Sequence, residues 1–215
     1  MNYSQLVSYT TSEVADALDA FGIDGCLFGI KPLSPNSRLL GPAFTIKYES
    51  YPEKPSQHQG AADYIDDVPE GAVIVIDNAG KTDCTTWGEI LTRVAIQRHI
   101  QGTLVFGAIR DAAYIRETNY PLFCCDTYMR SGKNRVRMVK KQTAVVIQGV
   151  VIHPDDVLFA DENGAVVIPA SRFNEVMNKV QAIRKTEDKI IAAVSSRMSL
   201  AEARKKYHYE RPWEL

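Results

Sequence analysis

The most constraining feature of the sequence is a pair of apolar runs on either side of a helical pattern. AVIVIDN (72–78) and the run from Thr103 to Ile109 have the β-branched composition of strands that are covered on both faces. The residues between them include apolar side chains at helical spacing, namely Trp87, Ile90, Leu91, Val94 and Ala95. The sequence therefore predicts a strand, a helix and a second strand, most simply a parallel pair joined by a right-handed crossover.

Cap and alternation signals place further elements before this unit. Thr10, followed three residues later by Glu13, has the form of a capping box, and the helical pattern behind it ends at Gly22. The segment GPAFTIKYES (41–50) alternates between apolar and polar residues, which favours a half-buried strand. We therefore expect a helix and a strand before the parallel unit.

After the parallel unit the pattern changes to consecutive strands and then to helix. PLFCCDT, RVRMV and TAVVIQGVVI are strand-like, and the Asn163-Gly164 step predicts a hairpin that joins VLFA to AVVIP. From Ser171 onward the apolar period is helical. We predict an α/β fold with a single domain over residues 1–215, in which about 171–215 form a C-terminal helical arm.

Composition limits the possible partners. Lys and Arg number 25 and Asp and Glu number 26, so the net charge of -1 gives no overall attraction to nucleic acid or to an acidic membrane. The N-terminus has no signal-peptide pattern, and no apolar run approaches the roughly 20 residues of a membrane span. Four cysteines lack CxxC spacing, which argues against a zinc site or a disulfide framework: Cys26, Cys84, Cys124 and Cys125. We expect a cytoplasmic protein with reduced thiols, a small-molecule ligand, and no nucleic-acid or membrane partner.

The first candidate site is the adjacent cation and anion, Arg110 and Asp111, at the end of the second strand. Charged side chains are costly to bury, and ligands of open α/β sheets bind outside the carboxyl ends of the strands. Gly107 would allow a close approach of the backbone. A structural alternative remains open, in which Asp111 caps the following turn and Arg110 forms a surface salt bridge.

The second candidate site is the start of the predicted helix, in TTWGEIL (85–91). Gly88, Glu89, Ile90 and Leu91 fall in or beside its first turn, where backbone N–H groups lack intrahelical partners and the helix dipole favours an anion. A small carboxylate or phosphate could bind there. The helix begins after one strand and the Arg-Asp pair ends the next, so the two candidates are expected at the same edge of the sheet.

Together these segments resemble the RraA-like proteins, a family that includes the 4-hydroxy-4-methyl-2-oxoglutarate aldolases. TSEVADALDAFG resembles the family's N-terminal helix, RLLGPAFTIK its first core strand, WGEIL followed by GAIRD its site signature, and HPDDVLFADENGAVVIP its closing hairpin. The chain departs from the family at Phe106, where many members have Asp, and at Pro154-Asp155-Asp156, where Pro-Gly-Asp is usual. The resemblance implies a three-layer β/β/α swivelling-domain fold, assembled as a homotrimer or hexamer with sites between subunits.

The resemblance also implies roles for the charged candidates. Asp111 would hold a divalent metal, Mg2+ or Mn2+, directly or through waters, and Arg110 would bind substrate. Glu89 would order metal-bound water, which makes it the third catalytic residue beside this pair. Glu187, from the C-terminal helix of a neighbouring subunit, would reach the same waters.

The backbone amides of Gly88, Ile90 and Leu91 would, by the same resemblance, hold the carboxylate of pyruvate. Cleavage of a 4-hydroxy-2-oxo acid, or loss of CO2 from oxaloacetate, leaves the enolate of pyruvate. A hard cation on the 2-oxo and carboxylate oxygens stabilises that charge as it forms. The implied activity is therefore that of a metal-dependent (class II) aldolase or decarboxylase that acts on a small 2-oxo acid.

Two other functions stay open at this point. Some relatives are protein inhibitors of an RNA-degrading endonuclease and keep the Arg-Asp pair, so the pair alone does not discriminate. Those regulators are shorter, and the more than 40 residues beyond Pro169 favour the lyase. A third possibility keeps the metal site and applies it to another sugar acid or hydroxy acid.

Overall fold

The structure is a computed structural model that describes residues 3–52 and 62–209. The strands in these residues are β1 (Cys26–Leu27), β2 (Lys31–Pro32), β3 (Leu39–Ser50), β4 (Val73–Asp77), β5 (Gly102–Ile109), β6 (Leu122–Thr127), β7 (Val136–Lys141), β8 (Val145–Ile147), β9 (Val150–Ile152), β10 (Val157–Asp161) and β11 (Gly164–Ile168). The α-helices are α1 (Thr11–Asp19), α2 (Glu89–Gln97), α3 (Ala112–Glu117), α4 (Phe173–Ser195) and α5 (Leu200–Lys206).

The predicted parallel unit is the centre of a mixed sheet. β3, β4, β5 and β6 are parallel neighbours, with Val73 of β4 opposite Gly102 of β5. From β3 the sheet continues through β10, β11 and β1, all antiparallel, and at its other end β2 pairs with β6. β7 pairs with the second half of β3, and β8 and β9 form a separate hairpin. The α/β class is confirmed, and the carboxyl ends of β4 and β5 lie at one edge.

β4 is buried on both faces because each face packs on a different layer. Ile74 and Ile76 belong to the cluster that α2 and α3 cover, whereas Val73 and Val75 pack on β8, β9, β10 and β11. Fully burying a Val or Ile side chain stabilises a fold by roughly 1.5–3 kcal/mol. The parallel strands, the layer from β8 to β11, and the helices α2 and α3 are the three layers of the expected β/β/α fold.

α1 and α4 cover the outer face of β10 and β11. Thr10 caps α1 as predicted, since its hydroxyl accepts from the Glu13 N–H and the Glu13 carboxylate accepts from the Thr10 N–H. The second half of α4 contacts α5 through Ile190, Ala193 and Ala203, which confirms the C-terminal helical arm. No helix within 3–52 and 62–209 combines the length and the apolar character needed to cross a membrane.

Two local expectations differ from the structure, and three short elements were not predicted. TAVVIQGVVI is two strands and not one, because Gln148 and Gly149 have φ angles of 54° and 92° and turn the chain between β8 and β9. The hairpin after β10 turns at 162–163, one residue earlier than expected, since Asp161 pairs with Gly164. The sequence pattern did not predict α3, β1 or β2, which are too short to show a clear period.

Candidate active site

The carboxyl end of β5, at Arg110, borders a cavity of about 350 Å³. One wall is the segment 85–91 together with Arg110, and the opposite wall is the loop 131–133 together with Val136. Five of the candidate site residues line this cavity: Gly88, Glu89, Ile90, Leu91 and Arg110.

Asp111 follows β5 directly, and its side chain reaches across to α2. Its Oδ2 atom accepts a hydrogen bond of 2.9 Å from the backbone N–H of Glu89, and the Nε atom of Arg110 lies 3.5 Å from the same oxygen. The Asp111 side chain makes no cap hydrogen bond to α3, which begins at the next residue. The Asp111 side chain therefore does not cap its own following turn. The other part of that alternative is present, because Arg110 and Asp111 form an ion pair whose side chains are 40% and 37% exposed. The two candidate segments are in contact.

The backbone of Asp111 adopts φ 59° and ψ 34°. This left-handed conformation is uncommon for residues with a side chain, and Asp and Asn tolerate it better than most. It directs the carboxylate back toward α2 at the point where β5 turns into α3.

Gly88 is required by the close approach of the Arg-Asp pair. A Cβ atom at position 88 would lie 2.6 Å from Asp111 Oδ2 and 3.0 Å from Arg110 Cγ. Its φ of −172° is extended, so lack of space, and not backbone conformation, selects glycine. The Arg110 N–H also donates to the carbonyl of Trp87 at 3.0 Å. These contacts fix the start of α2 against the end of β5.

The first turn of α2 presents backbone donors at the cavity. Its first N–H groups have no intrahelical acceptor, and Gly88 at the N-cap has no side chain to bond them. Asp111 accepts the hydrogen bond of the Glu89 N–H. The N–H groups of Ile90 and Leu91 therefore stay available to a ligand. An anion bound there would meet both the N–H groups and the positive end of the helix dipole.

The carboxylate of Glu89 is held by Arg93, one turn further along α2. The Nε and Nη2 atoms of Arg93 both donate to Glu89 Oε1, at 2.8 Å and 2.7 Å, and the guanidinium lies 4.3 Å from the centre of the Tyr114 ring. Such exposed pairs contribute little stability. Glu89 thus lines the cavity, but its carboxylate is already paired with Arg93. Its catalytic role stays a prediction.

The sequence reasoning missed the wall opposite α2. The Thr85 N–H donates to the carbonyl of Arg130 at 3.0 Å, and the Gly132 N–H donates to the carbonyl of Thr85 at 2.9 Å. A Cβ atom on Gly132 would lie 2.6 Å from that Thr85 oxygen. Lys133 adds a cation to this wall. The Ser-Gly-Lys step between two strands was the available signal, but it carries no recognisable chemical motif.

Phe106, one of the departures from the family pattern, supports the loop after β4. It packs on the layer from β8 to β11, and its ring would lie 2.9 Å from a Cβ atom on Gly80. Its carbonyl accepts from the N–H groups of Asn78 and Gly80, both at 3.1 Å. Lys81, in the same loop, contacts Ser50 and does not line the cavity.

Glu187 lies on α4 beside a second cavity, which α1 and α4 border together with Tyr209. Burial raises the pKa of its carboxyl, and the charges of Glu13 and Asp16 raise it further. None of the residues that line the first cavity lines the second. The chain does not bring Glu187 to its own Arg-Asp pair, so a contribution to the site of a neighbouring subunit stays a prediction.

The other candidate ligands are structural. All four cysteines are free thiols, and burial raises the pKa of Cys124 to about 12, which makes it a poor nucleophile. The Asp161 carboxylate accepts from the N–H and hydroxyl of Thr11 at 2.8 Å and 2.7 Å. Within the described ranges, no three His, Cys, Asp or Glu side chains are grouped so that they could hold a metal.

The signature segments WGEIL and GAIRD match a known family together with the strands around them. The RraA-like family model, described as Aldolase/RraA, matches residues 11–167. The chain belongs to the RraA-like family. The matched region contains the Arg-Asp pair and the first turn of α2, and it ends before α4.

Relatives of this RraA-like chain carry different names. Protein DlpA of Legionella pneumophila is 51% identical over 97% of the chain, which spans 34% of DlpA. A protein of Halalkalibacterium halodurans named "Putative 4-hydroxy-4-methyl-2-oxoglutarate aldolase" is 29% identical over 93% of the chain and 91% of its own length. The chain therefore spans about a third of one curated relative and nearly all of another.

Solved structures share the fold of this RraA-like chain. An uncharacterized protein from Pseudomonas syringae pv. tomato is 40% identical and superposes with a TM-score of 0.89, covering 95% of this chain and 93% of its own. Streptomyces coelicolor RraAS2, described as an unusual member of the RNase ES inhibitor RraA protein family, is 25% identical with a TM-score of 0.79. The match covers 92% of this chain and 96% of the RraAS2 chain.

Proposed function

We propose that this RraA-like chain is a carbon-carbon lyase that releases pyruvate, by retro-aldol cleavage of a 4-hydroxy-2-oxo acid or by decarboxylation of oxaloacetate. The observation that carries the proposal is the hydrogen bond between Asp111 and the first turn of α2. This bond holds the Asp111 carboxylate, which does not itself line the cavity, against the helix turn that does and beside the guanidinium of Arg110. The aldolase name of the Halalkalibacterium relative supports the same reaction class.

The α2 turn and Arg110 would hold the two ends of the substrate. The N–H groups of Gly88, Ile90 and Leu91 would bind the carboxylate of the pyruvate half, because they face the cavity at the positive end of the helix. Arg110, whose side chain is 40% exposed, would orient the departing half, and its planar guanidinium suits a carboxylate there. Buried Trp87 gives this wall an apolar surface that limits water.

The donor set at the Arg-Asp pair suits Mg2+ or Mn2+ that keeps most of its waters. Asp111 offers one hard oxygen ligand, and its Oδ1 atom makes no hydrogen bond to the described residues; Mg2+ dehydrates reluctantly and needs few protein carboxylates. We assign direct or water-mediated binding to Asp111, and water-mediated binding to Glu89 and to Glu187 of a neighbouring subunit. When bound, the cation would supply positive charge where negative charge develops on the substrate oxygens.

Residues beside the cavity would position the substrate and remove the proton of its 4-hydroxyl group. The Glu89 N–H fixes the orientation of the Asp111 carboxylate, and a water ordered between the carboxylates of Asp111 and Glu89 would accept the proton of the 4-hydroxyl group. Arg110 would hold the substrate in line with that water. No Schiff base is required, and Lys81 has no part in the reaction.

We also propose a homotrimer or hexamer with sites between subunits. Glu187 lies beside the second cavity of its own chain, so it would reach an Arg-Asp pair only across a subunit boundary. The C-terminal arm, which packs on α1 with its first half, would carry it there.

A substrate screen tests the proposal. Pyruvate release is measured from 4-hydroxy-2-oxo acids and oxaloacetate, with and without Mg2+ or Mn2+. We expect metal-dependent turnover that falls by at least about 100-fold in Asp111→Asn and in Arg110→Ala, at unchanged melting temperature. Arg116→Gln, on the exposed surface of α3, is the matched control and should keep full activity. Full activity in either site variant would contradict the assignment.

One observation favours a second candidate, a non-catalytic inhibitor of an RNA-degrading endonuclease. The match to RraAS2 covers 92% of this chain, so it extends into the region beyond Pro169. Chain length therefore no longer separates regulators from lyases. Tight binding of such an endonuclease, together with no turnover across the whole substrate panel, would select this alternative.

A further inference from the structure

The segment RSGKNRVRMVKK (130–141) has the highest local density of positive charge beside the cavity. It contains six cations and no carboxylate, in a chain whose 25 basic and 26 acidic residues nearly balance. All six side chains are exposed. We define this basic strip as Arg130, Lys133, Arg135, Arg137, Lys140 and Lys141.

Most of the basic strip has no counter-ion. Within the described parts of the chain, Lys141 pairs with Asp67, and the other five cations form no ion pair. Arg135 donates to the carbonyls of Ser131 and Lys133, which orders it without neutralising it. Elsewhere Arg172, just before α4, and Arg184, within α4, are paired with glutamates. The strip therefore keeps its charge available to a ligand.

Two arginines of the strip are held over aromatic rings. Arg130 lies 5.8 Å from the ring centre of Tyr128, and Arg137 lies 5.8 Å from that of Tyr51. Contacts of this kind position a guanidinium and leave its charge intact.

The strip is continuous with the cavity. Ser131, Gly132, Lys133 and Val136 line the cavity wall opposite α2, and the rest of the strip follows along β7. Three carboxylates lie close to it: Asp63 on the cavity wall, Glu49 opposite Arg137 on β3, and Asp67. These three carboxylates offset half of the strip's six charges. The charged residues that line the cavity balance, with Arg110 and Lys133 against Asp63 and Glu89, so the positive excess lies along the strip.

A purely structural role explains only part of the strip. β7 pairs with β3 alone among the described strands, and lysines on an edge strand prevent pairing with another sheet. Lys140 and Lys141 fit that role. Arg130, Lys133 and Arg135 precede the strand, where they protect no edge.

We propose that the basic strip draws doubly charged anions into the cavity and so selects 2-oxo acids with two carboxylates over those with one. The inference rests on the proposed function for the identity of the substrate. The attraction between fixed charges and a ligand is proportional to the ligand's charge, and it weakens within about 10 Å at 0.1 M salt. A dicarboxylate therefore gains twice the attraction of a monocarboxylate and loses more of it when salt is added.

The test neutralises the part of the strip that does not line the cavity. For Arg137→Gln/Lys140→Gln, kcat/KM for oxaloacetate should fall about two- to fivefold at low salt, with kcat unchanged, and the difference should vanish near about 0.5 M salt. Arg204→Gln/Lys205→Gln on α5 removes the same exposed charge elsewhere and should have no effect. An equal loss at every salt concentration, or an equal loss in the control, would overturn the proposal.

Binding of oxalate and acetate, measured by calorimetry in the presence of Mg2+, separates this proposal from the proposed function. One outcome is that no 2-oxo acid is turned over, but the strip variant binds oxalate less tightly at low salt and loses less affinity for acetate. The lyase assignment is then wrong and the proposal for the basic strip is supported. If turnover occurs without strip dependence, the strip proposal alone fails. If oxalate does not bind and nothing is turned over, both are wrong.

Discussion

Carboxylates lie in two regions of the molecule that differ in the partners they offer. At the cavity, Asp111 meets a backbone N–H and the guanidinium of Arg110. Between α1 and α4, Asp16, Asp19 and Glu187 border the second cavity, and no cation among residues 3–52 and 62–209 lines it. Donors are in excess in the first region and carboxylates in the second. The first region can therefore accept an anionic ligand, whereas the second repels one.

The pKa values of the α1–α4 region follow from how each carboxyl is partnered. Burial alone would raise the pKa of Glu13, but hydrogen bonds from Arg184 and Thr10 outweigh it and lower the pKa. Burial raises the pKa of Asp16, and the charges of Asp19 and Glu13 add to the rise. The paired carboxylate of Glu13 thus stabilises the contact between α1 and α4, whereas the repulsion among Asp16, Asp19 and Glu13 weakens it.

The largest expected effect comes from crowding the cavity region. In Gly88→Ala, the new methyl group would meet the Arg-Asp pair, at 2.6 Å from Asp111 Oδ2, and the pair must move. A misplacement of about 1 Å is enough to cost roughly 100-fold in kcat/KM. The readout is pyruvate release. In an Asp111→Ala background the same change should add little, since the nearest atom is gone and only the side chain of Arg110, at 3.0 Å, remains to be displaced. Additive losses would contradict this account.

A smaller effect is expected from removing the cation of the α1–α4 region. In Arg184→Gln, the carboxylate of Glu13, whose side chain is 7% exposed, loses its charge partner. We expect the free energy of unfolding in urea at neutral pH to fall by about 2–3 kcal/mol. The folded-state pKa of Glu13 is lowered, so this contribution exists above its unfolded pKa and is lost as the pH falls through the folded value.

The matched control for Arg184→Gln is Arg172→Gln. Its pair with Glu175 is exposed on both sides, at 39% and 47%, and an exposed pair contributes about 0–1 kcal/mol. Equal losses in the two variants would show that the α1–α4 pair has no special importance.

The smallest expected effect comes from relieving repulsion in the same region. Asp16→Asn should raise the free energy of unfolding at neutral pH by a few tenths of a kcal/mol, roughly, because solvent screens this exposed side chain. The folded-state pKa is raised, so any stabilising contribution of Asp16 is complete below its unfolded pKa and is lost as the pH rises through the folded value. The gain should therefore disappear near about pH 3. Glu117→Gln on exposed α3 is the control, and a gain of the same size there would refute the explanation.

Local patterns in the sequence were sufficient for the elements that carry the cavity. β4 is a buried strand because its residues are apolar and β-branched, and Thr10 caps α1 through its own side chain. The rule that ligands bind at the carboxyl ends of parallel strands was enough to expect Asp111 near α2. The turn at Gln148 was missed because glutamine is not a typical residue for a positive φ angle.

The opposite wall could not be predicted in this way. Its place depends on hydrogen bonds between Thr85 and a loop more than 40 residues away, and contacts between distant segments leave no mark on local periodicity. The pairing of Glu89 with Arg93 was within reach of the sequence, since residues four apart on a helix face each other. The location of Glu187 needed the structure, because its partners lie on α1.

The left-handed backbone at position 111 restricts how the site can change over time. Glutamate would keep the negative charge there but would meet backbone strain of about 1–2 kcal/mol. Asparagine would keep the backbone and discard the charge. Under the proposed function, an inactive descendant is easier to reach than a remodelled catalyst, because the exchange expected to abolish chemistry is also the one that the main chain accepts.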